Sequence, residues 1–198
     1  MKEALFAQTS CIILAAGNSV RMGTDKALLK FNADQTFLQK ISEAYLLAGI
    51  EQVIVVVNSE LFILIRESNH NLSKKVLLVI NDKPELGRFY SLQTGIKFLK
   101  PGNSCFFQNI DNPFTSEKLL CELIIFKDTA DVIMPTYQKK SGHPVLISPL
   151  LAQEILRTYN SDLRIDLFLK QFEVKKTETI DPNILVNINS PEDYSSWM

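Results

Sequence analysis

Over the first two-thirds of the chain, apolar positions follow two alternating patterns. Short runs are apolar at almost every position: "SCIILAA" (10–16), "EQVIVVVN" (51–58), "KKVLLVIN" (74–81), "SCFFQNI" (104–110) and "DVIMPTY" (131–137). Strands buried on both faces of a parallel sheet read this way. Between them, apolar residues recur at helical spacing. "FLQKISEAYLLAGI" stops at Gly49, "FYSLQTGIKFLK" stops at Pro101-Gly102, and "TSEKLLCELIIFK" opens on a capping Thr or Ser with Glu117 early in it. The β-α-β-α order predicts an α/β fold with a parallel sheet, right-handed crossovers and helices on both faces.

Past residue 137 the rhythm changes. "GHPVLIS" reads as a short strand, "PLLAQEILRTY" and "DLRIDLFLKQF" as helices, and "EVKKTETI" alternates like an edge strand. "NSPEDYSSW" opens a last helix, with Ser190 as N-cap, Pro191 in the first position and Glu192 and Asp193 in the first turn. No repeat, low-complexity tract or linker interrupts the pattern. One domain over residues 1–198 is expected, with two halves of about 1–110 and about 111–198.

Composition narrows the class. The 198 residues are 46% apolar, with 21 basic and 22 acidic side chains. Near-neutral charge argues against nucleic acid as a partner. No apolar run reaches membrane-spanning length, so no membrane partner is expected. Gln8, Thr9 and Ser10 interrupt the N-terminal apolar stretch, which reads as the approach to a strand rather than a signal peptide. The three cysteines, Cys11, Cys105 and Cys121, fit neither a disulfide framework nor zinc spacing; they read as small buried hydrophobes in a reducing cytoplasm. A monomer or small homo-oligomer is expected.

In a doubly wound sheet, ligands bind beyond the carboxyl ends of the strands, where strand order reverses. The residues just past the strands are Ala15 to Lys26, Asn58, Asn81, Asp111 and, later, Asn187 to Asn189. The first stretch holds small residues at Ala15, Ala16 and Gly17, then Arg21, Gly23 and Lys26. Small residues let the backbone turn sharply and present amides to an anion, and the two cations add charge suited to a polyphosphate. Neither the P-loop pattern nor G-x-G-x-x-G is present.

"LAAGNSVRMGTDK" (14–26) closely resembles the nucleotide-binding signature L-A-[A/G]-G-x-S-x-R-[M/F]-G-x-x-K of the MobA-like nucleotidyltransferases. These include the molybdenum-cofactor guanylyl- and cytidylyltransferases and, more distantly, pyrimidine nucleotidyltransferases acting on sugar and alcohol phosphates. Four further blocks are similar in the same order: "NDKPELGRFYSLQTGI", "NIDNPF", "GHPVLI" and "NINSPEDY". The resemblance implies a Rossmann-like three-layer α/β/α fold with a mostly parallel mixed sheet, the nucleotide-diphospho-sugar transferase fold. The implied enzyme is Mg²⁺-dependent. It uses an NTP as co-substrate and moves its NMP group to a small phosphorylated acceptor, molybdopterin first, releasing pyrophosphate.

The resemblance also implies roles. Arg21, Lys26 and Asp111 are the expected catalytic residues, the first two on the triphosphate and Asp111 as Mg²⁺ ligand. Leu14, Ala15, Ala16, Gly17, Asn18, Ser19, Arg21, Met22, Gly23, Lys26, Asn81, Gly87 and Ser91 are expected around the nucleotide. His143 is placed on the acceptor side, with a turn histidine as the alternative. Arg164 is matched to a late Leu-Arg, with an ion pair to Asp162 or another acid as the alternative. Arg88, Lys139 and Lys140 read equally as anion contacts or solvated side chains. Ser91 and Gly95 also read as packing positions, Trp197 as packing of the last helix, and His70 as a loop residue without function. Asn187 and Asn189 stand where many cytidylyltransferase-like relatives carry aspartates; Asn189 is the candidate second metal ligand. Ala15-Ala16-Gly17 and "GHPV" favour CTP, whereas the paired asparagines favour GTP. Two other readings stay open: a sugar-, polyol- or alcohol-phosphate acceptor, and a non-catalytic nucleotide-binding regulator.

Overall fold

The computed structural model describes residues 2–17, 22, 24–67, 72–159 and 163–197. After a single N-terminal helical turn, α1 (Lys2–Leu5), the chain enters β1 (Thr9–Ala15), buried at all seven positions. That strand pairs in parallel with β2 (Gln52–Val57) on one side and β4 (Ser104–Asn109) on the other, and β2 pairs in turn with β3 (Val76–Ile80). Alternate residues of the central strands feed two cores. Cys11, Ile13 and Phe106 pack under α2 (Phe37–Ala48) and α5 (Glu117–Ile124); Ile12, Leu14 and Phe107 pack under α4 (Gly87–Ile96) and α6 (Pro149–Arg157). Burial on both faces is the reason these strands are apolar at consecutive positions.

Helix ends follow local chemistry. Thr36 and Gln39 close a capping box on α2, and Gly49 ends it in the left-handed region at φ 104°. Ser116 and Ser148 cap α5 and α6. Helix α4 begins at Gly87, two residues before the helical pattern predicts, and it ends at Ile96 with a turn carrying the chain to Pro101. A Cβ on Gly95 would lie 2.7 Å from Ile12 Cγ2, so α4 sits on β1 at a distance only glycine permits.

The pattern gave no sign of α3 (Ser59–Glu67), because "LFILI" is apolar throughout; only Leu61 and Ile65, one turn apart, are buried. Asn58 caps it, accepting from the Leu61 amide. The predicted helix over 162–172 is shorter, with α7 confined to Ile165–Leu169.

Strand order across the eight-stranded sheet is β3-β2-β1-β4-β7-β5-β6, with β8 (Val174–Glu178) on β5. Here β5 is Val132–Tyr137, β6 is Lys140–Ser141 and β7 is Val145–Ile147. Strand β7 runs antiparallel to both β4 and β5, whereas β8 runs parallel to β5. The chain turns back after β5 and slots β7 between β4 and β5, so the sheet is mixed. The last helix, α8 (Pro191–Trp197), starts as the sequence predicts, and Trp197 packs against Phe31, Phe114 and Phe37 with centroids 4.8, 5.2 and 6.2 Å away.

Candidate active site

The chain winds outward from β1 to β3, then returns over the opposite face through α4 to β4. Strand order therefore reverses between β1 and β4, and their carboxyl ends leave a crevice there. A cavity of about 130 Å³ opens in it, lined by Leu14 of β1 with Ala16 and Gly17 just past it, Asn109 of β4 with Ile110 and Asp111 just past it, Arg88 and Ser91 from α4, and Lys26.

Lys26 begins a turn of 3-10 helix (Lys26–Leu28) that Asp25 caps by accepting from the Ala27 amide at 2.9 Å. Burial raises the Asp25 pKa, and the amide bond pulls the other way. The Lys26 ammonium donates to Asn189 Oδ1 at 2.8 Å, across 163 residues of sequence. Asn189 is itself fixed. Ile188 N–H donates to the Asp111 carbonyl at 2.8 Å, and Asp193 Oδ2 accepts from the Asn189 and Ser190 amides at 2.8 and 3.0 Å.

Asn112 ties this corner together. Fully buried, it donates through one amide nitrogen toward the carbonyls of Asn183, Ile184 and Val186 at 3.1, 3.3 and 2.6 Å. Its own carbonyl accepts from Gln108, whose Oε1 accepts from Tyr45 and Thr115. A buried polar network thus locks the segment after β4 to the segment before α8, with Asp111 between them.

Asp111 is the unusual group. Its Oδ1 is buried and has no hydrogen-bond partner among the described residues. Burial raises its pKa, while the charges of Lys26 and Arg88 draw it back. A carboxylate oxygen left unsatisfied in a cleft costs stability, which fits a group kept for a cation. Among the described residues no three His, Cys, Asp or Glu side chains cluster to cage a metal. A single carboxylate suits a hard divalent cation whose shell is completed by phosphate oxygens and water.

A second cavity, about 520 Å³, adjoins the first and shares Arg88 and Asn109 with it. Phe107, Met134, Val145, Ile165, Leu169 and Val174 make its apolar walls. His143 lines it, with Nε2 and Asn109 Nδ2 3.3 Å apart and Nδ1 buried without a partner among the described residues. Burial and the Arg88 charge push the imidazole down to about 4, so it is neutral at physiological pH. The contact between Nε2 and the Asn109 amide holds the ring against the cavity wall. A Cβ on Gly142 would collide with the Ile184 carbonyl, so the turn into His143 requires glycine.

The sequence-derived residues fall into distinct places. Leu14, Ala16, Gly17, Lys26, Ser91 and Asp111 line the small cavity. His143 and Arg164 line the large one, and Arg164 forms a two-pronged pair with Asp166 at 2.9 and 3.1 Å. Ala15 packs into the core on the α2 side. Asn81 is buried and fully engaged, accepting from Lys83 N–H and donating to Ser91 Oγ at 2.9 Å; the pair pins the start of α4 to the end of β3. Gly87 opens α4 with φ 79°. Asn187 is exposed and donates to the Leu185 carbonyl. Asn18, Ser19, Arg21, Gly23, His70 and Asp162 lie outside the described residues.

Lys139 and Lys140 sit in and beside the exposed turn between β5 and β6; the large cavity is lined instead by Lys170 and Lys176. Those lysines drew no notice in the sequence because no local motif marks them; Asn109 and Asn112 lie in the "NIDNPF" block, but only Asp111 was given a role there.

Several solved structures share this architecture. Rv0371c from Mycobacterium tuberculosis H37Rv, in complex with manganese, is 20% identical at a TM-score of 0.76, with 96% of this chain and 98% of that one covered. The 4-diphosphocytidyl-2C-methyl-D-erythritol synthase from Anaerococcus prevotii is 15% identical at 0.72, over 98% and 96%. Molybdopterin-guanine dinucleotide biosynthesis protein A from Archaeoglobus fulgidus is 17% identical at 0.70, over 95% and 96%. At these identities the likeness establishes the fold. No curated protein matches the chain in sequence. The family model of the MobA-like NTP transferase domain matches residues 11–175, a span that takes in the β1 loop, Asp111 and both cavities' strands; the chain belongs to that family.

Proposed function

We propose that this single domain transfers a nucleoside monophosphate from an NTP to a small phosphorylated acceptor and releases pyrophosphate. An acceptor phosphate oxygen attacks the α-phosphorus; the new P–O bond forms as the bond to the β-phosphate oxygen breaks. The nucleophile is already anionic, so the work is positioning and charge neutralisation. The single observation that carries this reading is the pair of cavities joined at Arg88 and Asn109, with the unsatisfied carboxylate of Asp111 at the wall of the smaller one.

In this reading the small cavity takes the triphosphate. Lys26, now bonded to a neutral amide oxygen, turns to phosphate oxygens, where a charge-assisted bond is about twice as strong. Arg21 adds the second cation. Asp111 holds Mg²⁺, which neutralises phosphate charge when bound. Asn189 is a weaker neutral ligand that shares its oxygen with Lys26. His143, held neutral, serves the acceptor side as a ring wall that orients Asn109 and not as an acid, and Arg164 borders the same cavity.

CTP is preferred over GTP on Ala15-Ala16-Gly17 and Gly142 to Val145, and molybdopterin is the first acceptor to try. Cys11 and Cys105, buried, and Cys121, half-buried, form no disulfide among the described residues, which agrees with a cytoplasmic setting. Among the described residues no helix is long and apolar enough to cross a membrane.

The test is a melting-temperature screen of CTP, GTP, ATP and UTP with and without Mg²⁺, followed by pyrophosphate release with phosphorylated acceptors. A shift for CTP that grows with Mg²⁺ supports the reading. No shift with any of the four overturns it.

A further inference from the structure

The larger cavity carries chemistry that the transfer reaction does not call for. Its neutral side chains offer few groups to a polyol, whose hydroxyls would have to compete for the charged Arg88, Arg164, Asp166, Lys170 and Lys176. Asn109 and Ser141 are the neutral side chains with polar atoms to spare, since the His143 ring nitrogens are bonded to Asn109 or buried from solvent. A chain of several hydroxyls would lose water and find walls of Phe107, Met134, Val145 and Leu169. Each polar group buried without a partner lowers the affinity. At about 520 Å³ the space also exceeds what a bare phosphate needs.

Charge is distributed unevenly along it. Arg88 stands where the two cavities meet. Arg164 is satisfied by Asp166, the one carboxylate among the lining residues. Lys170 and Lys176 line only the larger cavity and make no ion pair among the described residues. Lys170 directly follows α7. Lys176 is the register partner of Met134 on the neighbouring β5, so its stem lies beside an apolar wall. One phosphate at Arg88 therefore leaves two further cations beside the apolar walls: Lys176, and Lys170, whose charge also acts on Asp166.

We propose that the acceptor is anionic at both ends. Its phosphate monoester sits by Arg88 and Asn109, its body is apolar and packs on Phe107 and Met134, and a second anionic group, carboxylate or phosphate, is held by Lys170 and Lys176. This rests on the reading that the larger cavity takes the acceptor. It ranks sugar and polyol phosphates below that class, and also molybdopterin, whose pterin body is polar and which carries one phosphate.

Three probes separate the parts: ribitol 5-phosphate, phenyl phosphate and 4-carboxyphenyl phosphate. Each is titrated calorimetrically onto the protein held with Mg²⁺ and the α,β-methylene analogue of the nucleotide that gives a melting shift. The expected order is carboxyphenyl phosphate tightest, about tenfold tighter than phenyl phosphate, with ribitol phosphate weakest. In a Lys170→Gln, Lys176→Gln double variant the tenfold gain disappears while phenyl phosphate binds as before. Equal affinity for the two aryl phosphates, a gain that survives in the double variant, tightest binding of ribitol phosphate, or no binding of any probe beside a bound nucleotide overturns the proposal. Absence of the nucleotide shift itself overturns the transferase reading instead.

Discussion

The two cavities share a wall and differ in almost everything else. The smaller is built at strand ends, from backbone, glycine, Lys26 and one carboxylate, and a buried network behind Asp111 keeps it in place. The larger is apolar and wide, with its charges on the outlying α7 and β8. The contrast follows from the ligands proposed for them. A triphosphate is the same in every reaction of this kind and is best met by rigid dipoles and charges. An acceptor is recognised by shape and by the position of a few charges, which outlying elements can change without disturbing the sheet.

Three substitutions test that contrast. Asp111→Asn should lower kcat by about 10³-fold, since it removes the group that holds charge at the reacting phosphate. The same variant should melt at or above the wild-type temperature, because a buried charge with an unmet oxygen is gone. Parallel assays of turnover and thermal unfolding decide it, and a folded variant with full activity would place the metal elsewhere.

Asn112→Ala should cost about 3 kcal/mol in urea unfolding, since the carbonyls of residues 183, 184 and 186 lose their donor. Nucleotide binding should fall with it, because Asn189 and Lys26 hang on the same segment. An undiminished nucleotide shift would mean that the small cavity does not depend on that brace.

The smallest effect belongs to the acceptor side. The His143 pKa is depressed to about 4 in the fold and is ordinary in the unfolded chain. The unfolded chain therefore takes up the proton first as pH falls below the ordinary histidine value, and stability is lost down to about pH 4. The loss between pH 7 and pH 5 should be about 2 kcal/mol, and a His143→Gln variant should lack it. Matching pH–stability curves for the two proteins would show that His143 titrates normally.

Much of the fold was legible because its signals are local. Strand runs, helix period, the Thr36 and Ser190 caps and the Gly49 stop each depend on residues within one turn. Asp111 stood out for a similar reason: it ends an apolar run and precedes Asn-Pro. Helix α3 was missed because unbroken apolarity hides its period, and α7 was overextended because propensity outran the packing that Phe168 and Leu169 supply.

The sequence by itself determined the order of the main strands and most of the helices, and the family, and it pointed to the loop after β1 as a polyphosphate site. Only the tertiary structure decided that β7 enters between β4 and β5, that Asn189 reaches Lys26, and that Arg88 and Asn109 divide two cavities. It also decided the protonation state of His143, because burial and the nearby Arg88 are properties of the folded neighbourhood. Hydrogen-bond period and capping act over three or four residues. Cavities and pKa shifts arise from segments that strand order brings together across the whole chain.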